Sequence, residues 1–225
     1  MTVSRTGWRG SQDVWLDAAQ ASLLESGVDA VRIQQLARRL NLSRTSFYWF
    51  FTDRAHMLDA LLERWRIRNS GGIVARTTAY AETVAEAVLN LFDCWLDPAL
   101  FDSQFEFAVR SWALQSADVA AAVGAADNMR LAAIAAMLRR FDIAPGTADV
   151  RARAIYLTQI GYISARTTED QAERMGRIAD YVDVFSGIAP TGMELARFYA
   201  RHRFQPPDSA PAAPRRVRRR TVRSG

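Results

Sequence analysis

Lysine is absent from this sequence; all 29 of its basic residues are arginine. It has one cysteine, Cys94, and two histidines, His56 and His202. A single thiol excludes an internal disulfide, and one Cys with two distant His cannot assemble a four-ligand zinc site. No Gly-rich phosphate loop, nucleophile–base pair or paired-carboxylate arrangement stands out, so neither enzyme chemistry nor a cofactor is expected. No apolar run approaches the roughly 18 residues that a membrane-crossing helix needs. The opening MTVSRTGWRG lacks the apolar core of a secretory signal. These absences point to a cytoplasmic protein with no membrane partner.

What is present is unevenly charged. Residues 1–70 hold ten Arg against seven acids, residues 71–211 thirteen against seventeen, and residues 212–225 six against none. A basic head, an acidic body and a basic tail suggest that a polyanion such as nucleic acid meets the ends. The tail also reads as a merely solvated end, since QPPDSAPAAPRRVRRRTVRSG, from Gln205 onward, is rich in Pro, Ala and Arg and unfolded by itself. At 225 residues the rest can bury a substantial core.

Strand-type alternation is missing throughout, and helical periodicity dominates. Val14, Trp15, Ala18, Ala19 and Leu23 mark one face of a first helix that Gly27 stops. Ile33, Leu36, Ala37 and Leu40 mark a second, followed by a tight turn at Asn41-Leu42-Ser43, with Ser43 a candidate N-cap. A longer helix over 53–70 starts at Asp53 and carries Met57, Leu58, Leu61, Leu62 and Trp65. It is expected to run out at Asn69-Ser70-Gly71-Gly72, the clearest punctuation in the chain. Further helices are read at Val84–Trp95 and over 101–115, 117–141, 148–167, 170–186 and 191–203. The fold class is therefore all-α.

The segment NLSRTSFYWFFTDR, residues 41–54, contains five consecutive aromatics. On a helix, at about 100° per residue, Phe47, Phe50 and Phe51 share one face while Thr45, Tyr48 and Trp49 share the other. The phenylalanines can pack on the Ile33/Leu36/Leu40 face and leave Arg44, Thr45, Tyr48 and Trp49 outward. The competing reading is that a later helix buries Tyr48 and Trp49. Two short helices joined by a three-residue turn, the second with polar and aromatic groups outward, follow helix-turn-helix logic. In that motif the second helix enters the major groove, hydroxyls donate to phosphates, and Arg reaches phosphate or guanine.

Residues 12–70 resemble the DNA-binding domain of TetR-type transcriptional regulators. The likeness rests on VRIQQLARRLNLSRTSFYWFFTDRAHML, in which Leu36-Ala37, Leu42-Ser43, Phe47-Tyr48, Phe51, Arg54 and Leu58 match in type and spacing. Three positions depart from the usual pattern. Asn41 replaces a turn Gly, Thr45 replaces a Gly of the recognition helix, and Arg54 replaces the Lys that opens the fourth helix. The resemblance implies a three-helix DNA-binding domain over 1–70, its fourth helix linking to a ligand-binding and dimerisation domain over 71–204, with the tail at 205–225. It implies DNA contacts from Arg32, Ser43, Arg44, Thr45, Ser46, Tyr48, Trp49 and Arg54.

The same resemblance implies a homodimer through helices near 148–186, where Gly161, Ser164 and Ala165 permit close approach. It also implies a small-molecule effector held among the middle helices. Candidate contacts are Trp95, Gln104, Phe105, Arg110, Trp112, Tyr156 and Gln159, although an ion pair with Glu106 accounts for Arg110 equally well. The expected function is a sequence-specific repressor of a DNA operator, released by its effector. The alternative is an architectural nucleic-acid-binding protein acting through the Arg-rich tail.

Overall fold

A helix begins with unsatisfied amide groups, and a Ser, Thr or Asp just ahead of it can accept from one of them. The helix starts of this chain use that device repeatedly. The computed structural model describes residues 10–206, which form twelve α-helices with no strand among the described residues. Helix α1 (Gln12–Ser26) is capped by Ser11 and ends at Gly27, whose φ is 78°. A short 3-10 turn, Val28–Ala30, leads to α2 (Ile33–Leu40) and then α3 (Arg44–Phe47). Asn41 between them adopts the left-handed region, φ 52° and ψ 41°, which Asn tolerates better than most residues. Ser43 caps α3, its Oγ 3.2 Å from the Ser46 amide. Asp53 caps α4 (Arg54–Trp65), 2.8 Å from the His56 amide.

The punctuation expected at Asn69–Gly72 does not stop the chain. Beyond α4 the backbone stays helical through a π-helical turn, Arg66–Ser70, directly into α5 (Gly71–Thr78). Gly71-Gly72 looks like a helix terminator because glycine propensity is a local property. Here the glycine serves long-range packing instead: a Cβ on Gly72 would lie 2.0 Å from the Leu100 carbonyl oxygen. Gly72→Ala is therefore expected to destabilise the fold by about 1–3 kcal/mol through overpacking, measured by urea denaturation. The adjacent Gly71 has open space around it, so Gly71→Ala is the control expected to leave stability unchanged or slightly raised.

The remaining helices are α6 (Val84–Leu96), α7 (Ser103–Ala113), α8 (Ala117–Arg139), α9 (Pro145–Ser164), α10 (Gln171–Gly176), α11 (Ile178–Ser186) and α12 (Gly192–Arg201). The single helix expected over 170–186 is thus two, broken at Arg177, although Met175, Ile178, Val182 and Phe185 do face inward together. Helix α8 holds no unbroken apolar run of membrane-crossing length, since Asp118, Asp127 and Arg130 interrupt it. By length and composition it could cross a membrane, with a mean hydropathy of 1.3 over its most apolar stretch, because its alanines outweigh the scattered charges. Its Arg130 is fully buried against Glu106 of α7. The Arg-rich tail lies almost wholly outside the described residues.

Two apolar cores result. The first gathers Trp15, Leu23, Leu36, Phe47, Phe51, Met57 and Leu61 from α1–α4 with Phe105, Val109 and Trp112 of α7 and Val119 and Val123 of α8. The second joins α5, α6, the C-terminal half of α8, and α9–α12. The first core therefore does not close on itself at residue 70. Helix α7 and the start of α8 complete it, which ties the N-terminal helices firmly to the body.

Candidate nucleic-acid interface and effector cavity

The recognition segment is short. Only Arg44–Phe47 is α-helical, and Tyr48–Phe50 continue as a turn closed by the Phe50 and Phe51 amides on the Phe47 carbonyl, at 3.0 and 3.1 Å. Its two faces separate as the helical spacing predicts. Phe47 and Phe51 are buried, with Trp15 edge-on to Phe47 at 5.3 Å and Phe51 stacked on it at 5.3 Å. Phe50 is half-buried at the edge of the same core. Tyr48 and Trp49 are 52% and 64% exposed, so no later helix covers them. Arg44 and Thr45 are exposed beside them.

Two of the expected DNA contacts, Ser46 and Arg54, have internal work instead, and Ser43 also serves as a cap. Ser46 is buried and its hydroxyl donates to the Ser43 carbonyl at 2.7 Å, while Ser43 Oγ is occupied as the cap. Arg54 points inward: its Nε donates to the Val31 carbonyl at 2.6 Å and its Nη2 to the Val28 carbonyl at 2.7 Å. It pins the 3-10 turn that sets the approach of α2, a positioning role that a five-donor fork can fill. Arg32, at the start of α2, is exposed, with its Nε on the Asp29 carbonyl at 2.8 Å. Sequence reasoning missed Arg38, which lies exposed on α2 and makes no ion pair with a described residue. Its neighbour Arg39 is consumed by Glu25, with contacts at 2.7 and 2.8 Å. The distinction follows from Glu25 on α1, which pattern alone does not pair with either arginine.

The residues expected around an effector divide differently. Phe105 and Trp112 belong to the first core, and Gln104 is exposed. Arg110 and Tyr156 belong to a buried polar network at the junction of α4, α7, α8 and α9. Its hub is Glu106, fully buried, whose carboxylate accepts four donors. Oε2 takes Trp65 Nε1 at 2.7 Å and Asn69 Nδ2 at 2.8 Å. Oε1 takes Arg110 Nε at 2.9 Å and Arg130 Nη1 at 2.8 Å. Arg130 also donates to Ser70 Oγ at 2.9 Å and to the Tyr156 hydroxyl at 2.8 Å, and its guanidinium stands 4.9 Å above the Trp65 ring. Tyr156 donates to Asp127 at 2.6 Å, and Asp127 pairs with Arg110. Burial alone would pull the pKa of Arg130 down, but Glu106 and Tyr156 outweigh it and leave it raised. Burial raises the Tyr156 pKa, so the phenol stays a donor. The ion-pair reading of Arg110 therefore describes its contacts.

Trp95 and Gln159 instead line a narrow crevice between α6, α9, α10 and α11. Phe92, Trp95, Ile155 and Phe185 make its apolar wall. Among the described residues no group of three His, Cys, Asp or Glu side chains is placed to hold a metal ion. Cys94 is buried, which pushes its thiol up to about 12 and leaves it an unreactive core group.

Residues 16–61 match the profile described as "Bacterial regulatory proteins, tetR family". No curated protein matches the chain. The whole fold is similar to that of a transcriptional regulator from Rhodococcus sp. Rha1, with a TM-score of 0.56 at 16% identity over 85% of this chain and 97% of that one. It is also similar to a candidate TetR-family transcriptional regulator from Mesorhizobium loti MAFF303099, with a TM-score of 0.54 at 13% identity over 84% and 95%. A third likeness is to Mycobacterium smegmatis AmtR, with a TM-score of 0.51 at 15% identity over 92% and 100%. At these identities the likeness establishes the architecture.

Proposed function

We propose that this chain, whose residues 16–61 match the tetR family profile, is a dimeric, sequence-specific repressor whose hold on its operator is released by a small molecule. The observation that carries the reading is the recognition segment, where Arg44, Thr45, Tyr48 and Trp49 are exposed on a frame fixed by buried Phe47 and Phe51. Groove recognition requires this combination of outward polar and aromatic groups on a rigid support. Tyr48 serves a phosphate, and Arg44 and Thr45 read base edges. Arg32 and Arg38 on α2 supply further phosphate contacts. In this reading residues 1–70 are the DNA-binding unit, residues 71–204 the effector and dimer unit, and the protein works in the cytoplasm with its DNA.

Dimerisation is supported by the outer faces of α9 and α11. Val150 and Leu157 on α9 and Val184 on α11 are each more than half exposed, on helices whose opposite faces are already packed, and Ile188 is exposed just beyond the end of α11. Arg153 on α9, paired within its helix to Asp149 at 3.0 Å, and Asp180 and Asp183 on α11 are exposed on the same helices. Such a dimer sets the separation of two recognition segments against half-sites about 34–36 Å apart.

Selection of bound sites from random DNA tests the reading. An enriched two-fold site is expected, with affinity falling steeply as salt rises. Tyr48→Phe should weaken binding evenly across sequences by about 1 kcal/mol, the worth of one phosphate hydrogen bond. Arg44→Ala should change which bases are enriched. Failure to enrich any sequence would remove the proposal.

A further inference from the structure

In the crevice between α6, α9, α10 and α11, hydrogen-bond donors outnumber free acceptors. Arg174 is partly buried there and makes no ion pair with a described residue; its Nη2 donates to the neutral Gln159 Oε1 at 2.9 Å, and its guanidinium lies over the Tyr162 ring at 5.8 Å. It differs in this from Arg110 and Arg130, whose charges are matched by Glu106 and Asp127. Burial holds the pKa of Arg174 below its ordinary value, and Glu169 offsets that only in part. Glu169 is itself held by Arg177 at 2.9 Å. The Tyr162 and Tyr181 hydroxyls lie 2.7 Å apart, so one donates to the other and the second keeps its hydrogen for another acceptor. Gln159 is buried and its oxygen is taken by Arg174, which leaves its N–H groups as donors.

We propose that this crevice binds a slender amphipathic monoanion, a carboxylate on an alkyl or aryl body. The carboxylate sits on Arg174 with support from the tyrosine pair, and the body lies along Phe92, Trp95, Ile155 and Phe185. Two arginines against one glutamate leave a single positive charge for the occupant to neutralise. An acid with an apolar body satisfies both walls, whereas an alcohol leaves the guanidinium without a counter-charge and a cation is repelled. The Glu106 network occupies the junction of α4, α7, α8 and α9, and the crevice adjoins it across α9. Ile155 and Gln159 line it, and Tyr156 between them on α9 bonds Arg130 and Asp127. The inference rests on the regulator reading above only in making this occupant its effector.

Decanoate and phenylacetate are titrated into the full chain by calorimetry and by the fluorescence of the tryptophans, with decan-1-ol and 2-phenylethanol as neutral matches. At least one acid is expected to bind, and its matched alcohol to bind at least about 10-fold more weakly. Arg174→Gln should lose about 10–100-fold in affinity, while Arg174→Lys, which keeps the charge, should lose less than about 10-fold. Binding by neither acid, equal binding of the alcohol, or equal losses in the Gln and Lys variants would each overturn the assignment. Operator affinity is measured separately. If an acid binds and leaves operator affinity unchanged, the crevice assignment stands and its effector role falls. If site-specific DNA binding persists while no acid binds, the crevice assignment alone falls.

Discussion

Glu106→Gln is expected to cost about 3–5 kcal/mol of folding free energy, the usual consequence of breaking a buried charge pair from one side. All four acceptor sites of this carboxylate are used: Trp65 and Asn69 on one oxygen, Arg110 and Arg130 on the other. An amide of the same shape must turn its NH2 end toward one of those pairs, so donors would face donors. It also removes the charge that compensates Arg130, which is fully buried and whose next carboxylate, Asp127, is 3.8 Å away. Urea denaturation of the single variant, of Arg130→Met and of the double variant gives the cycle. The double variant should recover part of the loss, because removing both charges is milder than stranding one. Equal losses in the single and double variants would show that the network is not held by this pair.

Phe47→Ala should cost a comparable 3–5 kcal/mol, roughly the range for emptying a buried aromatic site. Phe47 lies edge-on to Trp15 and stacks on Phe51, and it is fully excluded from solvent at the meeting of α1, α3 and α4. A helix of four residues has almost no stability of its own, since nucleation alone outweighs the one or two hydrogen bonds it closes. Its geometry is thus dictated by the two phenylalanines. The variant should lose stability and operator binding together, as read by denaturation and by mobility shift on a selected site. Phe47→Leu, which refills most of the volume, should retain much of both. A stable Phe47→Ala protein with unchanged binding would show that the segment is positioned by something other than its aromatic face.

Much of the first unit was legible because its signals are local. Caps at Ser43 and Asp53, the left-handed turn at Asn41, and the sorting of Phe47 and Phe51 from Tyr48 and Trp49 all follow from spacing and side-chain chemistry. Arg54 was legible as a special position but not in direction, because the carbonyls of Val28 and Val31 that accept its donors are 26 and 23 residues away. Ser46 was misplaced because a hydroxyl on a four-residue helix can fold back onto its own turn. The effector residues fared worse. Periodicity marks Phe105, Trp112 and Tyr156 as inward, yet which space they enter depends on α7 completing the first core and on four charges meeting at its edge. The crevice draws on α6, α9, α10 and α11 at once, and no single helix pattern announces it.

The π-helical turn at Arg66–Ser70 has a consequence for phase. A π turn wedges one more residue into the spiral than an α-helix would hold, so the stripes before and after it are offset by about one residue, or some 100°. Asn69 and Ser70 occupy that step and are fastened to Asp102, Glu106 and Arg130. Deleting one residue there would restore a regular ladder while turning everything N-terminal of it, the recognition segment included, about the shaft. The number of residues between the two cores is consequently an angular setting, held by the body at one end and presented at the other as the bearing of Tyr48 and Trp49.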